Sequence, residues 1–322
     1  VDYCPSSVCD KNCDPWKNGT ASEFARDVAS MTRARTKFLV GIILTLVIGC
    51  ESAGAQKNAG PQGPEQGVIR RQTWLVPAQD RYTLMWTEVF RPQGNGPFPL
   101  AVINHGSTQN ELQRGALGKP EYAVLTEWLV ARGYAVAVPQ RPGHGRTGGP
   151  YYEDQGGCAN ADYRKSGMNA AAAIMAAIDY MRVQKFIQKT GVVALGQSAG
   201  GWGTVALASQ PLPSLKAVVA FSAGRGGRID GVAGSNCAPQ RLLDAAHQFG
   251  EKSHAPTLWL YAANDSYFPP ELSRKIVEAY RMGGGHAEYQ VLPAVGADGH
   301  EFIQDRSAVA LWGPLVEKFL KR

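Results

Sequence analysis

Ser198 lies in Gly196-Gln197-Ser198-Ala199-Gly200, between a short apolar run and a stretch of small residues. A serine hydroxyl is a weak nucleophile unless a base takes its proton and nearby donors hold the charge its attack creates. A G-x-S-x-G turn from strand to helix meets part of that need. It lifts the hydroxyl clear of the strand end and sets it at a helix N-terminus, which favours negative charge. Two other residues could meet the rest. The apolar run from Pro256 to Ala263 ends in Asn264-Asp265, and His300 closes the loop Gly296-Ala297-Asp298-Gly299-His300. An acid that orients an imidazole, and an imidazole that accepts the serine proton, would complete a Ser198-His300-Asp265 triad. Upstream, Leu100 to Asn104 runs into His105-Gly106-Ser107, a strand ending in a glycine turn. The backbone N–H groups of Ser107 and Ala199 are expected to form an oxyanion hole, each donor lowering the barrier by roughly 3 kcal/mol.

Each neighbouring group has a plainer reading. Asp298 is the rival acid, but two residues before His300 it is expected to shape the histidine loop. His286 precedes a strand and reads as solvated. His105 reads as a structural part of the oxyanion loop, and His144, in Pro142-Gly143-His144-Gly145, as a loop residue near the rim. Trp202, Tyr151, Tyr152, Tyr267 and Phe268 are candidates to line a substrate pocket, although aromatics beside a buried helix are commonly core. Arg225 and Arg228, in Gly224-Arg225-Gly226-Gly227-Arg228, are candidates to hold a substrate carboxylate, against the alternative of a solvated loop. The chain shows no phosphate loop, dinucleotide fingerprint or metal-ligand cluster, so the expected chemistry uses no cofactor and no metal.

Elements of a particular kind must carry these residues. Strands are expected at 69–77, 83–91, 100–104, 134–138, 192–196, 216–222, 257–263 and 288–293, with the first two antiparallel. Helices are expected at 120–132, 165–186, 201–210, 271–282 and 305–320. Such alternation argues an α/β fold with a mostly parallel sheet and helices on both faces. Arg141 to Asp162 and Gly224 to Ser253 fall outside the alternation. Both follow strand C-termini, where open α/β sheets bind ligands, and read as two insertions that wall the substrate site.

The order of serine, strand-end acid and loop histidine resembles that of the α/β-hydrolases. From about Arg70 to Arg322 the chain is similar to their dienelactone-hydrolase-like branch, and to the catalytic domains of prolyl-oligopeptidase-type enzymes. The residues that carry the likeness are Asn104-His105-Gly106, Gly196 to Gly201, Asn264-Asp265 with Pro269-Pro270, and Gly299-His300-Glu301-Phe302. Dienelactone hydrolases proper use a cysteine nucleophile, so serine here implies a change of chemistry. The resemblance implies an α/β-hydrolase fold and a serine hydrolase, with carboxylic esters as the expected substrates. A peptidase or amidase, and a non-catalytic binding module on the same scaffold, remain alternatives. The identity of the ester and the oligomeric state stay open.

The composition, 44% hydrophobic and 19% charged, is that of an ordinary globular protein. The net charge of +6 is scattered without a basic stripe, which argues against a nucleic-acid partner. Met31 to Lys37 forms a basic segment and Phe38 to Gly49 a 12-residue apolar one, the pattern of a signal sequence over residues 31–50. Residues 1–30 then read as an upstream extension, and 51–67 as a flexible tether to a catalytic domain over 68–322. Two processing sites compete. Val47-Ile48-Gly49-Cys50 resembles a lipoprotein box that would lipidate Cys50 and anchor the chain to a membrane, and Ala53-Gly54-Ala55 resembles an ordinary cleavage site. Either implies export, to the periplasm, cell envelope or medium. In an oxidising compartment Cys158 and Cys237 are expected to pair as a disulfide.

Overall fold

The computed structural model describes residues 58–322. Residues 1–57, with the signal-like segment, Cys50 and most of the expected tether, lie outside the described residues. A single nine-stranded sheet runs through the molecule in the order β1-β2-β3-β5-β4-β6-β7-β8-β9. The strands are β1 (Gly60–Gln66), β2 (Arg71–Pro77), β3 (Leu84–Phe90), β4 (Leu100–Asn104), β5 (Ala135–Pro139), β6 (Val192–Gln197), β7 (Leu215–Phe221), β8 (Thr257–Ala262) and β9 (Ala287–Leu292). The first three and β5 pair antiparallel in succession, and from β5 onward every pairing is parallel. The helices are α1 (Glu111–Gly115), α2 (Ala123–Val130), α3 (Tyr163–Met181), α4 (Ala199–Ala208), α5 (Pro239–Glu251), α6 (Pro270–Met282) and α7 (Val309–Leu320).

The central strands are apolar on both faces because helices cover both. In β6, Val192 and Ala194 join a core with Ile174, Trp202, Phe249 and Tyr280, while Val193 and Leu195 join one with Leu125, Trp128, Phe302 and Trp312. In β8, Trp259 and Tyr261 face the first core and Leu258 and Leu260 the second. This period of two is what a sheet buried on both sides imposes. The chain leaves β4 toward β5 on one side and later returns as β6 on the other. That reversal opens a crevice at the strand C-termini, where Asn104 lies beside Gly196 in register.

Two expectations are corrected. Residues 60–66 are strand β1 rather than tether: Gly60 to Gln62 pair with Leu75 to Thr73, and Gln66 with Arg71. Pro61 and Pro64 are tolerated because β1 is the sheet edge, where missing N–H donors do no harm. The stretch Gly224 to Ser253 is irregular only in its first part, since α5 occupies 239–251 and supplies the crossover between β7 and β8. Leu242, Ala245, Ala246 and Phe249 form its buried stripe. Among the described residues, no helix is long and apolar enough to cross a membrane.

Candidate active site

Ser198 follows β6 directly, with φ 55° and ψ −124°, a region that side-chain-bearing residues avoid. The turn is held by Ser198 N–H to Phe221 O at 3.0 Å and by Trp202 N–H to Ser198 O at 2.9 Å. It is possible only because its flanks lack Cβ atoms. A Cβ on Gly196 would lie 2.4 Å from Gly200 O, and one on Gly200 would lie 2.2 Å from Asn104 O. The glycines therefore let α4 start against the ends of β4 and β6, leaving Ser198 partly exposed at the helix N-terminus.

Asp265 lies three residues after β8 and His300 eight residues after β9, in the turn Gly299–Gln304, and both are buried. His300 Nδ1–H donates to Asp265 Oδ1 at 3.0 Å, an oxygen that also accepts the backbone N–H groups of Tyr267 (2.9 Å) and Phe268 (3.0 Å). An ionised carboxylate can only accept, so this bond places the ring proton on Nδ1 and leaves Nε2 free to take another. The Tyr267 ring stacks on the imidazole with centroids 4.0 Å apart and limits its rotation. Asp298 instead accepts the N–H groups of Ser266 (3.1 Å) and His300 (3.0 Å), so it shapes the loop and does not hold the ring.

Ser198 and His300 line one cavity of about 470 Å³, together with Ser107, Tyr122 and Tyr267. A second cavity of about 400 Å³ meets the first at Ser198 and Ser107, and its walls include Ala199, Arg225, Arg228, Phe268 and the Cys158–Cys237 disulfide. That disulfide spans 79 residues with Cα atoms 5.1 Å apart, and it joins the two irregular segments as the sequence led us to expect. Ala199 is the first residue of α4, where no carbonyl of the helix itself can accept its N–H. Ala199 and Ser107 both border the second cavity beside Ser198.

The loop after β4 is braced by two histidines. His105 donates from Nδ1 to Gly106 O at 2.7 Å, while its Nε2 accepts Arg141 N–H at 3.0 Å. Burial pushes its pKa well down, so the ring stays neutral, a structural member of the loop as expected. His144 requires correction: it is fully buried, not at the rim. Its Nδ1–H faces the carbonyls of Arg141 (3.1 Å) and Pro142 (3.0 Å), and Nε2 accepts the Ser107 hydroxyl at 2.7 Å. Burial, the largest influence, lowers its pKa to about 4.

The other expected contacts divide. Tyr267 and Phe268 reach the cavities, and Phe268 packs against Gly224, where any Cβ would clash with its ring. Trp202 is core: fully buried, it donates to Tyr163 O at 2.8 Å and packs on Phe249. Tyr152 turns away to bond Asp80 at 2.9 Å. Tyr151 stands behind the oxyanion loop, bonded to Gln109 (2.9 Å) and Arg225 (3.1 Å), with Arg114 stacked on its ring. Arg225 borders the second cavity, yet its guanidinium is ion-paired with buried Glu153 rather than free in a solvated loop. Arg228 is half-exposed and lies near Asp298 at 3.7 Å.

Glu153 is the centre of a cluster that the sequence does not announce. It pairs with Arg141 as well as Arg225, all three nearly inaccessible to water. Burial works against its charge, but the two guanidinium groups outweigh it and hold the carboxyl well below its ordinary pKa. The one local hint is Gly143 and Gly145, at φ 81° and 42°, which fold the segment after β5 back onto Tyr151 and Gln140.

Solved structures share this fold. A protein described as a dienelactone hydrolase from Klebsiella pneumoniae matches 78% of this chain and 98% of its own, at 19% identity and TM-score 0.51. The acetyl xylan esterase of Paenibacillus sp. R4 matches 83% and 89%, at 17% identity and TM-score 0.54. The chain has the α/β-hydrolase fold. Porphyromonas gingivalis dipeptidyl peptidase 4 also matches 79% of the chain, at 14% identity and TM-score 0.55, but only 35% of its own length. The sequence profile of the prolyl oligopeptidase family matches residues 120–223. No curated protein matches the sequence.

Proposed function

We propose that the protein is a serine hydrolase that cleaves carboxylic esters, with Ser198, His300 and Asp265 as its triad. The observation that carries this reading is the buried 3.0 Å bond from His300 to Asp265, made on the same cavity wall as a serine held at positive φ. In this reading Ser198 Oγ attacks the ester carbonyl carbon as His300 Nε2 takes its proton, and Asp265 stabilises the imidazolium. The amides of Ser107 and Ala199 hold the oxyanion. Collapse breaks the acyl C–O bond, and His300 returns the proton to the departing alcohol. Water then repeats the cycle on the acyl-enzyme. His300 lines the first cavity and not the second, so the leaving alcohol belongs to the first and the acyl group to the second.

The profile match over residues 120–223 favours peptide cleavage as the second reading. The match to dipeptidyl peptidase 4 covers about a third of that protein's own length. Parallel assays on a p-nitrophenyl ester and the matching p-nitroanilide decide between them. Turnover of the ester alone supports the esterase, and faster turnover of the anilide overturns it. Failure of a fluorophosphonate to label Ser198 would leave only a non-catalytic binding role. Export is part of the same proposal, supported by the Cys158–Cys237 disulfide, which an oxidising compartment preserves. Mass analysis of the mature N-terminus after bacterial expression separates a lipid anchor on Cys50 from simple cleavage near Ala55.

A further inference from the structure

One buried hydrogen-bond chain has no part in the steps above. Tyr122, just before α2, sits in the left-handed region at φ 46°, a strained conformation for a tyrosine. Its hydroxyl accepts Gly106 N–H at 3.2 Å and donates to Gln197 Oε1 at 3.1 Å. Gln197 Nε2 donates onward to His300 O at 3.2 Å and to Glu301 Oε1 at 3.3 Å. Gln197 is only 3% exposed, and a Cβ on Gly106 would come within 2.9 Å of its Oε1. Three loops, after β4, β6 and β9, thus meet at one amide and one phenol.

From this meeting point we infer that Tyr122 and Gln197 are positioning residues that set the oxyanion loop against the histidine loop through the nucleophile turn. Two successive peptide planes carry the effect. Ser107 N–H and Gly106 C=O belong to a single rigid plane, and His105 Nδ1–H fixes the carbonyl end at 2.7 Å. The preceding plane carries Gly106 N–H, which Tyr122 fixes. With both planes pinned, the Ser107 N–H has one direction, and that direction is referred to His300 through Gln197. Tyr122 is not itself an oxyanion donor, because its single proton is spent on Gln197. The strain at φ 46° persists because both ends of the phenol are engaged.

This inference rests on the ester-hydrolase reading, and its test keeps the two apart. Wild type, Tyr122→Phe, Gln197→Met and the double variant are assayed on one p-nitrophenyl ester, with phenylboronic acid as a mimic of the tetrahedral adduct. Each single change should lower kcat roughly 10-fold with KM within about two-fold, because the hydrogen bonds are needed in the transition state. Boronate affinity should fall by the same factor, and the melting temperature should drop only by the few degrees that the lost buried hydrogen bonds cost. The double variant should be no worse than the poorer single, as members of one chain are not additive. A folded Tyr122→Phe with wild-type kcat, a rise in KM alone, or losses that multiply would each overturn the inference. If Gln197→Met does not fold, Tyr122→Phe decides alone. A wild type silent on esters and unlabelled by the fluorophosphonate would remove the hydrolase reading and this one together.

Discussion

The ends of β6, β8 and β9 and the two irregular segments around them are built on opposite plans. At the strand ends each side chain is placed by its own neighbourhood: Ser198 by glycines two residues to either side, and Asp265 by amides two and three residues on. In the segments 141–162 and 224–238 the anchors are far apart in sequence. Glu153 joins Arg141 to Arg225, and Cys158 joins Cys237 across 79 residues. In the proposed reading the first region carries the reacting atoms, and the second carries the walls around them. Damage to the first should therefore appear in rate at constant stability, and damage to the second in stability at nearly constant rate.

The largest expected effect tests the first half of that statement. Ser198→Ala and His300→Ala should each lower kcat by about 10⁴-fold or more, with unfolding midpoints close to wild type, and the pair should be no worse than either alone. Asp265→Asn should also be severe, because an amide cannot hold the imidazole in the same tautomer. Asp298→Asn should cost far less, since its carboxylate bonds the backbone of His300 and not the ring. If Asp298→Asn proves the crippling change in ester assays, the acid has been misassigned.

Next in size is Glu153→Gln, which should destabilise the fold by about 3–5 kcal/mol in urea titrations by leaving two guanidinium groups buried with little compensation. The pH dependence has a definite sign. The folded carboxyl is held below its ordinary value of 4.5, so its contribution is complete above that pH and is lost as pH falls toward the folded value. The gap between wild type and variant should thus be constant near neutrality and narrow only below 4.5. A gap that stays constant into acid would show that Glu153 acts by packing rather than charge.

The same division explains what could be read from the chain before its fold was known. Val192 to Leu195 followed by a glycine-flanked serine is a local pattern, and the strand, the turn and the place of Ser198 all follow from it. The α5 stripe of Leu242, Ala245, Ala246 and Phe249 is equally local, but it begins inside a glycine-rich stretch that hides it. Strand β1 has no apolar alternation, and only its pairing with β2 defines it. Aromatic identity told nothing of direction: Trp202 and Tyr267 lie within a few residues of Ser198 and Asp265, yet one is core and the other stacks on His300. Glu153, His144 and Tyr122 owe their roles to partners between 12 and 75 residues away, which no short motif records.

The disulfide tests the second half more cleanly, because it touches no ionisable group of the triad. Replacing Cys158 and Cys237 together by serine should cost about 3 kcal/mol, since the unfolded chain regains the freedom of a long loop. Turnover of a small ester should stay within about three-fold of wild type, because the strand ends do not depend on the bridge. Loss of kcat comparable to that of Asp265→Asn, in a folded protein, would show that walls and chemistry are not separable.

The smallest effect falls where the two regions meet. His144 belongs to the segment after β5, but its Nε2 accepts a hydrogen bond from the Ser107 hydroxyl on the loop after β4 at 2.7 Å. His144→Gln should cost about 1 kcal/mol at neutral pH, the net worth of such a bond, and lower kcat only a few-fold. Its pKa lies at about 4 instead of the ordinary 6.5, chiefly through burial, so the folded protein excludes a proton that the unfolded chain would bind. Wild-type stability should therefore decline as pH falls from 6.5 toward 4, whereas the glutamine variant lacks this slope. The difference between them should shrink and then change sign across that window, most of which lies above the range in which Glu153 titrates. Unfolding free energies at four or five pH values would show it, and parallel curves would mean that His144 is not the neutral acceptor that links the two regions.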